Sequence, residues 1–482
     1  ISFEMRTAAR REDEPADEVC VKTPDLQASS CRLDALTLHL GGSDADAGAI
    51  YEQIIGHCVG VAIRHLDGFG DPVVTPGAVA DIAQIGFEET ASLFPIDDRI
   101  FSGFDLLRDY FVFPRKFLGF RLGNLRRLLS RVAARRFDVI FAFDELNARL
   151  GAAVSAQSFL LHAAPAINLF EKSTDRVPVR DNQHEHHIVP DRTRTLDFEP
   201  HRILEVVAHH RGGVGSTKAI PLYGVERGAV LREAAIAYTV RRSPRRLTAH
   251  ERRQGSFTTY PGSDMFLSLG ETLAAAQRLG VAELSVKALC SNRHLAAQLP
   301  VGRTGADFRF VEDSQIEIAC VFGPTAPRDS VVSQLRSRSQ TAHSGAVAWR
   351  LINMLALNHR GLVESADGAA ARALRDTLAM FADLSDSATE RRIRGVRDVK
   401  ATPVVRRVRQ KLGVGAARGY EVTVTLDERA FEGSSAFLLG AVIERFYREY
   451  AAVNHFTQTI LRSSERGEIM RWPVRMGERR SL

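Results

Sequence analysis

Long apolar runs are missing from this 482-residue sequence. Its longest hydrophobic stretches, Phe137 to Phe143 and Ser435 to Ile443, fall well short of the ~18 to 20 residues that a helix needs to cross a bilayer, so no direct membrane insertion is expected. Cysteine is scarce and scattered. Cys20, Cys31, Cys58, Cys290 and Cys320 form no CxxC pair and are odd in number, which excludes a zinc ribbon and argues for reduced thiols in a cytoplasm rather than a disulfide framework. The first residue is Ile1, and no basic stretch leads into an apolar segment with a cleavage pattern; the chain reads as starting partway into a longer protein.

An excess of one charge is also missing. The 64 basic residues face 58 acidic ones, leaving a net +6, a weaker bias than a protein living on nucleic acid usually carries. Catalytic signatures are absent: there is no G-x-S-x-G elbow, no HExxH, and no GxGxxG opening a helix after a strand. With 45% hydrophobic and 25% charged residues, what remains is an ordinary folded composition. The length exceeds the ~250 to 300 residues over which one core keeps growing, so two or three domains are expected.

The patterning predicts an α+β, multidomain chain. Residues 1–165 read as a mixed α/β region. Cys31 to Leu40 alternates like a half-buried strand, Ser43 or Asp44 caps a helix with Ile50, Ile54 and Ile55 on its apolar face, and Val59 to Leu66 returns as a strand. Ser102 caps a helix carrying Phe104, Leu107 and Phe111 that Pro114 ends; Lys116 to Leu122 is a strand, Leu125 to Ala134 a helix with Arg126, Arg127, Arg131 and Arg135 on its polar surface, and Phe137 to Phe143 a buried strand.

Residues 166–340 read as a β-rich domain, with strands around Ile188 and over Ile203 to Ala208, Ile236 to Val240, Met265 to Leu269, Leu284 to Leu289 and Ile316 to Val321. Two polar surface loops, Arg211 to Ser216 and Arg241 to Gln254, join them. After a Ser/Arg/Gln linker from Ser330 to Gly345, residues 341–482 read as an α/β domain. It holds a helix with Val347, Leu351, Met354, Leu355 and Asn358, another near Ala369 to Leu384, strands at Gly395 to Val408 and Gly419 to Leu426, and a long helix with Leu439, Val442, Ile443, Phe446 and Tyr450 on one face.

Three features invite a chemical reading, and each has a plainer one. His184, Glu185, His186 and His187 could place two imidazoles on one strand face for a metal, but the cluster is short of ligands and His209 and His210 would have to join it; polar strand residues are the simpler account. Gly212-Gly213-Val214-Gly215-Ser216-Thr217-Lys218 looks like a phosphate loop, yet its lysine follows the Ser and Thr instead of preceding them, so a hairpin loop is expected. Arg241, Arg242, Arg245, Arg246, Arg252 and Arg253, and farther on Arg391, Arg392, Arg394, Arg397, Lys400, Arg406, Arg407, Arg409 and Lys411, could track phosphates. No aromatic residue lies between Arg391 and Lys411 to stack bases, and a solvated face or an acidic protein partner is the default. The alternatives left are therefore a nucleic-acid binder using the Arg-rich segments and, behind it, a metal-dependent enzyme using His184 to His187. No catalytic, cofactor-binding or metal-binding residue is assigned, and the partner-binding residues are not legible.

Six blocks in order carry a family resemblance: FSGFDLLRDYFVFPRKFLGF (Phe101 to Phe120), AINLFEKSTDRV (Ala166 to Val177), EHHIVPDRTRTLDFEPHRI (Glu185 to Ile203), LSVKALCSNRHLAAQLP (Leu284 to Pro300), AWRLINMLALNHRGL (Ala348 to Leu362), and the end of the chain from Gly419 to Leu461 and Glu465 to Arg479. They resemble the TssF family of bacterial type VI secretion, from about residue 30 onward, with the family's long N-terminal helical segment missing and the Arg241 to Arg253 loop particular to this sequence. The resemblance implies a non-enzymatic baseplate subunit without cofactors, cytoplasmic and positioned at the inner membrane. Two TssF copies pair on one TssG in a wedge with TssK and TssE, six wedges surround the VgrG spike, and the baseplate docks on the inner-membrane complex to start sheath and tube assembly.

Overall fold

The computed structural model describes residues 1–4, 27–30, 32–96, 103–180, 182–213, 215–222, 236–246, 260–271, 280–302, 306–313, 315–328, 369–382, 386–410, 413–451 and 455–477. The chain divides into two compact units, Ile1–Ala166 together with Met354–Leu482, and Ile167–Asn353. This groups the chain differently from three consecutive domains at 1–165, 166–340 and 341–482. The first and last segments share one apolar core, in which the Phe104 ring lies 5.5 Å from that of Phe381 and 6.3 Å from that of Phe446. The expected linker at Ser330 to Gly345 and the helix of Val347 to Asn358 lie outside the described residues.

In the first unit, strands β1 (Ser2–Glu4), β3 (Cys58–Leu66), β4 (Pro72–Pro76) and β7 (Arg136–Phe143) form a sheet in the order β1-β7-β3-β4. A second sheet runs β5-β6-β2-β8, from β2 (Leu36–Leu40), β5 (Ile82–Gln84), β6 (Gly119–Leu122) and β8 (Phe159–Leu160). Helix α1 (Asp44–Gly56) starts as expected: Ser43 Oγ accepts the Asp46 N–H at 3.1 Å, and Asp44 and Asp46 complement the dipole of the first turn. Its Ile50 and Ile54 are buried.

Helix α2 (Gly103–Val112) buries Phe104, Leu107 and Phe111; Ser102, its expected cap, lies outside the described residues. Pro114 does more than end it. It opens a 3-10 turn over Pro114–Phe117, because its fixed φ suits a first helical position, and this shortens the strand expected from Lys116 to β6. The helix expected over Leu125 to Ala134 is one turn, α3 (Leu125–Leu129), with Arg126, Arg127, Arg131 and Arg135 exposed; a further short helix is α4 (Ala148–Ala153). Nor is β7 a buried strand throughout. Phe137 and Val139 are buried, but Ile140 alternates to the exposed side at 38%, and Phe143, on the same face as Phe137 and stacked on Phe141, is 40% exposed at the strand's end.

The described part of the second unit is built on an eight-stranded mixed sheet. Its strands are β9 (Phe170–Ser173), β10 (Val177–Pro178), β11 (His186–Ile188), β12 (Glu199–His210), β13 (Ser216–Pro221), β14 (Ile236–Pro244), β15 (Ser263–Glu271) and β16 (Val281–Ser291), ordered β10-β16-β12-β13-β14-β15-β11 with β9 beside β16. Its core is one sheet face of Val206, Ala208, Leu267, Leu284 and Val286 with Ile188 and Ile236. The strand expected at Ile316 to Val321 is a two-residue piece, β18 (Glu317–Ile318), paired with β17 (Phe308–Arg309).

The chain then returns to the first unit through α5 (Ala369–Phe381) and α6 (Ser387–Arg394), the latter capped by Asp386, which accepts the Ala388 and Thr389 N–H groups. Strands β19 (Val396–Gln410) and β20 (Gly413–Leu426) form a hairpin longer than expected. Helix α7 (Ala436–Tyr450) crosses over to β21 (His455–Ser463), which runs parallel to β20, followed by β22 (Gly467–Arg471) and β23 (Arg475–Met476). Leu439, Val442, Ile443 and Phe446 are fully buried, as their spacing predicts. Gly440 sits where α7 meets β21: a Cβ there would stand 2.6 Å from Leu461 Cδ2, so helix propensity yields to close packing.

Candidate interaction surfaces

The histidine cluster is pulled apart by the sheet. His186 points into the core and is 4% exposed, while Glu185 and His187 lie on the exposed side. Glu185 accepts from Arg241 Nε at 2.6 Å, which holds its carboxyl below the usual range, and His187 stacks on Phe266. His209 and His210 bond elsewhere, to Ser285 Oγ and Thr217 Oγ1, each at 2.8 Å. Among the described residues no group of three or more His, Cys, Asp or Glu side chains is arranged to hold a metal ion. The glycine-rich segment joins β12 to β13, an antiparallel pair, so it is the hairpin loop the sequence predicts.

The first arginine run is only partly a surface loop. Arg241 and Arg242 belong to β14, and Arg242 turns inward to donate to Ser263 Oγ at 2.6 Å and to the Pro200 and His201 carbonyls. It joins a buried network that the sequence reading missed. The Glu199 carboxylate, 6% exposed, accepts from Tyr260 Oη at 2.8 Å and from the Ser263 N–H and Oγ at 2.8 and 2.5 Å, with Arg242 Nη1 at 3.7 Å. Arg293, 6% exposed, donates to the Pro261 and Leu196 carbonyls, and burial pulls its guanidinium below its ordinary pKa. The signal was in two of the quoted blocks, where Glu199 opens β12 and Arg293 follows β16.

The second run divides by register. Arg394, Arg397 and Arg406 pair with Glu390, Asp427 and Glu421 at 2.5, 2.6 and 2.7 Å. Arg407 and Arg418, on the other face of the β19–β20 hairpin, are exposed. The Phe-rich segment around α2 hides a further charge centre: Lys116 donates to Asp109, both buried, and Asp109 also accepts the Leu93 N–H at 3.0 Å. Burial lowers the Lys116 pKa against the opposing pull of Asp109. No helix among the described residues is long and apolar enough to cross a membrane.

A family model described as "Type VI secretion system, TssF" matches residues 14–479. The chain belongs to the TssF family. It is similar to the type VI secretion system component TssF1 of Pseudomonas aeruginosa, 37% identical over 454 residues that cover 94% of this chain and 70% of that protein. Two solved structures share the fold. One, a type VI TssK-TssF-TssG baseplate subcomplex seen by cryo-electron microscopy, matches with a TM-score of 0.64 at 23% identity, over 94% of this chain and 76% of that one. The other, a type VI baseplate complex, matches with a TM-score of 0.50 at 20% identity, over 92% and 70%. The chain is thus a type VI secretion component, and the resemblance of its six blocks extends over nearly its whole length.

In this TssF-family chain the quoted blocks do structural work. FSGFDLLRDYFVFPRKFLGF holds α2, the Pro114 turn, β6 and the Asp109–Lys116 pair. The last block buries Trp472, whose carbonyl accepts Gln458 Nε2 at 3.0 Å.

Proposed function

We propose that this chain is a structural wedge subunit of the type VI baseplate that works by binding and rigid rearrangement rather than by chemistry, at the cytoplasmic face of the inner membrane. Its partners on this reading are TssG and TssK, with TssE, the VgrG spike and a second TssF copy completing the wedge and the baseplate docking on the inner-membrane complex. The observation that carries it is the fold shared along 94% of the chain with a subcomplex of TssK, TssF and TssG. Large interfaces between rigid bodies suit such a role.

The nucleic-acid reading draws less support, because several of the arginines it needs are engaged, Arg242 in the Glu199 network and Arg406 with Glu421 among them. Affinity purification of the full-length protein from its own bacterium under secretion-inducing conditions, followed by mass spectrometry, tests the proposal. TssG and TssK are expected to co-purify. A well-behaved monomer recovered with neither would overturn it.

A further inference from the structure

The β19–β20 hairpin outruns its sheet. The two strands pair from Val396 opposite Leu426 to Gln410 opposite Gly413, but β21 accompanies β20 only between Arg418 and Leu426. Beyond Arg418 the hairpin continues as a two-stranded ribbon, an element of marginal stability when left alone.

One face of this ribbon changes character along its length. At its base Val399, Val422 and Val424 belong to the apolar core, and Ala401 and Tyr420 are half-buried against it. Because side chains alternate, the same face continues outward through Pro403, Val405, Arg407, Ala416 and Arg418, all exposed, with Val405 at 66%. The core-facing surface thus runs out past the domain with nothing from the described residues covering it.

Its charge is unbalanced. Among residues 401–407 and 415–422 the single carboxylate is Glu421, which lies on the opposite face and is taken by Arg406 at 2.7 Å and Arg471 at 3.2 Å. Arg407 and Arg418 form no ion pair with a described residue. Two guanidinium groups that pair with no described carboxylate therefore flank an exposed apolar centre.

We infer that this face docks an acidic protein surface with an apolar side chain at its middle, presented by another subunit of the secretion machine; the inference rests on the baseplate reading. Carboxylates opposite Arg407 and Arg418 would supply the charged rim, and an apolar side chain against Val405 and Pro403 the dry centre, the usual layout of a specific protein interface. A phosphate backbone offers no group for Val405, and this face carries no exposed aromatic ring on which bases could stack.

The test places a photo-cross-linking amino acid at position 405 of the full-length protein in its own bacterium, with and without R407E/R418E. The expected result is an adduct to one co-purifying subunit, through a peptide with Asp or Glu beside an apolar residue. Its yield should fall at least tenfold in the charge-reversed protein while the melting temperature is unchanged. An absent adduct, an adduct to nucleic acid, or a yield indifferent to charge reversal overturns the docking face. Recovery of TssG and TssK in that case leaves the baseplate reading standing, whereas recovery of neither overturns both.

Discussion

In the unit formed by Ile1–Ala166 and Met354–Leu482, buried carboxylates are held by ion pairing, Asp109 with Lys116 and Glu444 of α7 with Arg445 and Arg475, within a thick core of Leu and aromatic side chains from α2, α5 and α7. In Ile167–Asn353, buried charge is a branched network, with Glu199 met by Tyr260, Ser263 and Arg242 and with Arg293 held on carbonyls nearby. The apolar layer behind it is one sheet face of mostly small and β-branched residues. Where packing is thick, shape is set by side-chain volume. Where it is thin, directional bonds take over the job of fixing the ends of β12, β14 and β15.

That contrast predicts different weak points. Removing volume from the thick core should have the largest effect: Phe446→Ala, at a fully buried ring, should cost ~3 to 5 kcal/mol in urea unfolding. A loss below ~1 kcal/mol would mean that α7 is not held by volume. Next comes Glu199→Gln, which keeps the shape but removes the charge from several bonds. It should cost ~1.5 to 3 kcal/mol in the second unit, read by hydrogen exchange at the amides of β12 and β15. Unchanged exchange there would show the network to be decoration.

The smallest effect concerns pH. Burial pulls the His186 imidazole below its ordinary 6.5, and its Nδ1 has no hydrogen-bond partner. Just below pH 6.5 the unfolded chain therefore holds more protons than the folded one, so stability falls as the pH drops through that window. His186→Leu should make the fall shallower without abolishing it, since burial lowers His39 and His294 in the same sense. An unaltered pH profile of unfolding would place the titration elsewhere.

Much of the fold was legible in the sequence because short-range rules governed it. Ser43 capping α1, the apolar face of α7 and the hairpin at Gly212 followed from capping, a 3.6-residue period and glycine alone. What stayed hidden depended on distant partners. Nothing local joins Phe104 to Phe446, so two segments that share a core looked like two domains. Nothing local marks Arg242 as inward and Arg407 as outward either; both sit in arginine pairs, and register against Met265 in one strand and Ala416 in the other decides between them. The family resemblance was legible for the opposite reason, since it rests on strings and not on contacts.

The discontinuity of the first unit also sets a timetable for its making. A ribosome must add ~190 residues between the two segments that share the core, on the order of 10 to 40 s at roughly 5 to 20 residues per second. All of Ile167–Asn353 is synthesised during that interval, so it can fold first. Phe104, Leu107 and Phe111 meanwhile wait for α7, with an apolar helix face in need of protection until the last part of the chain arrives.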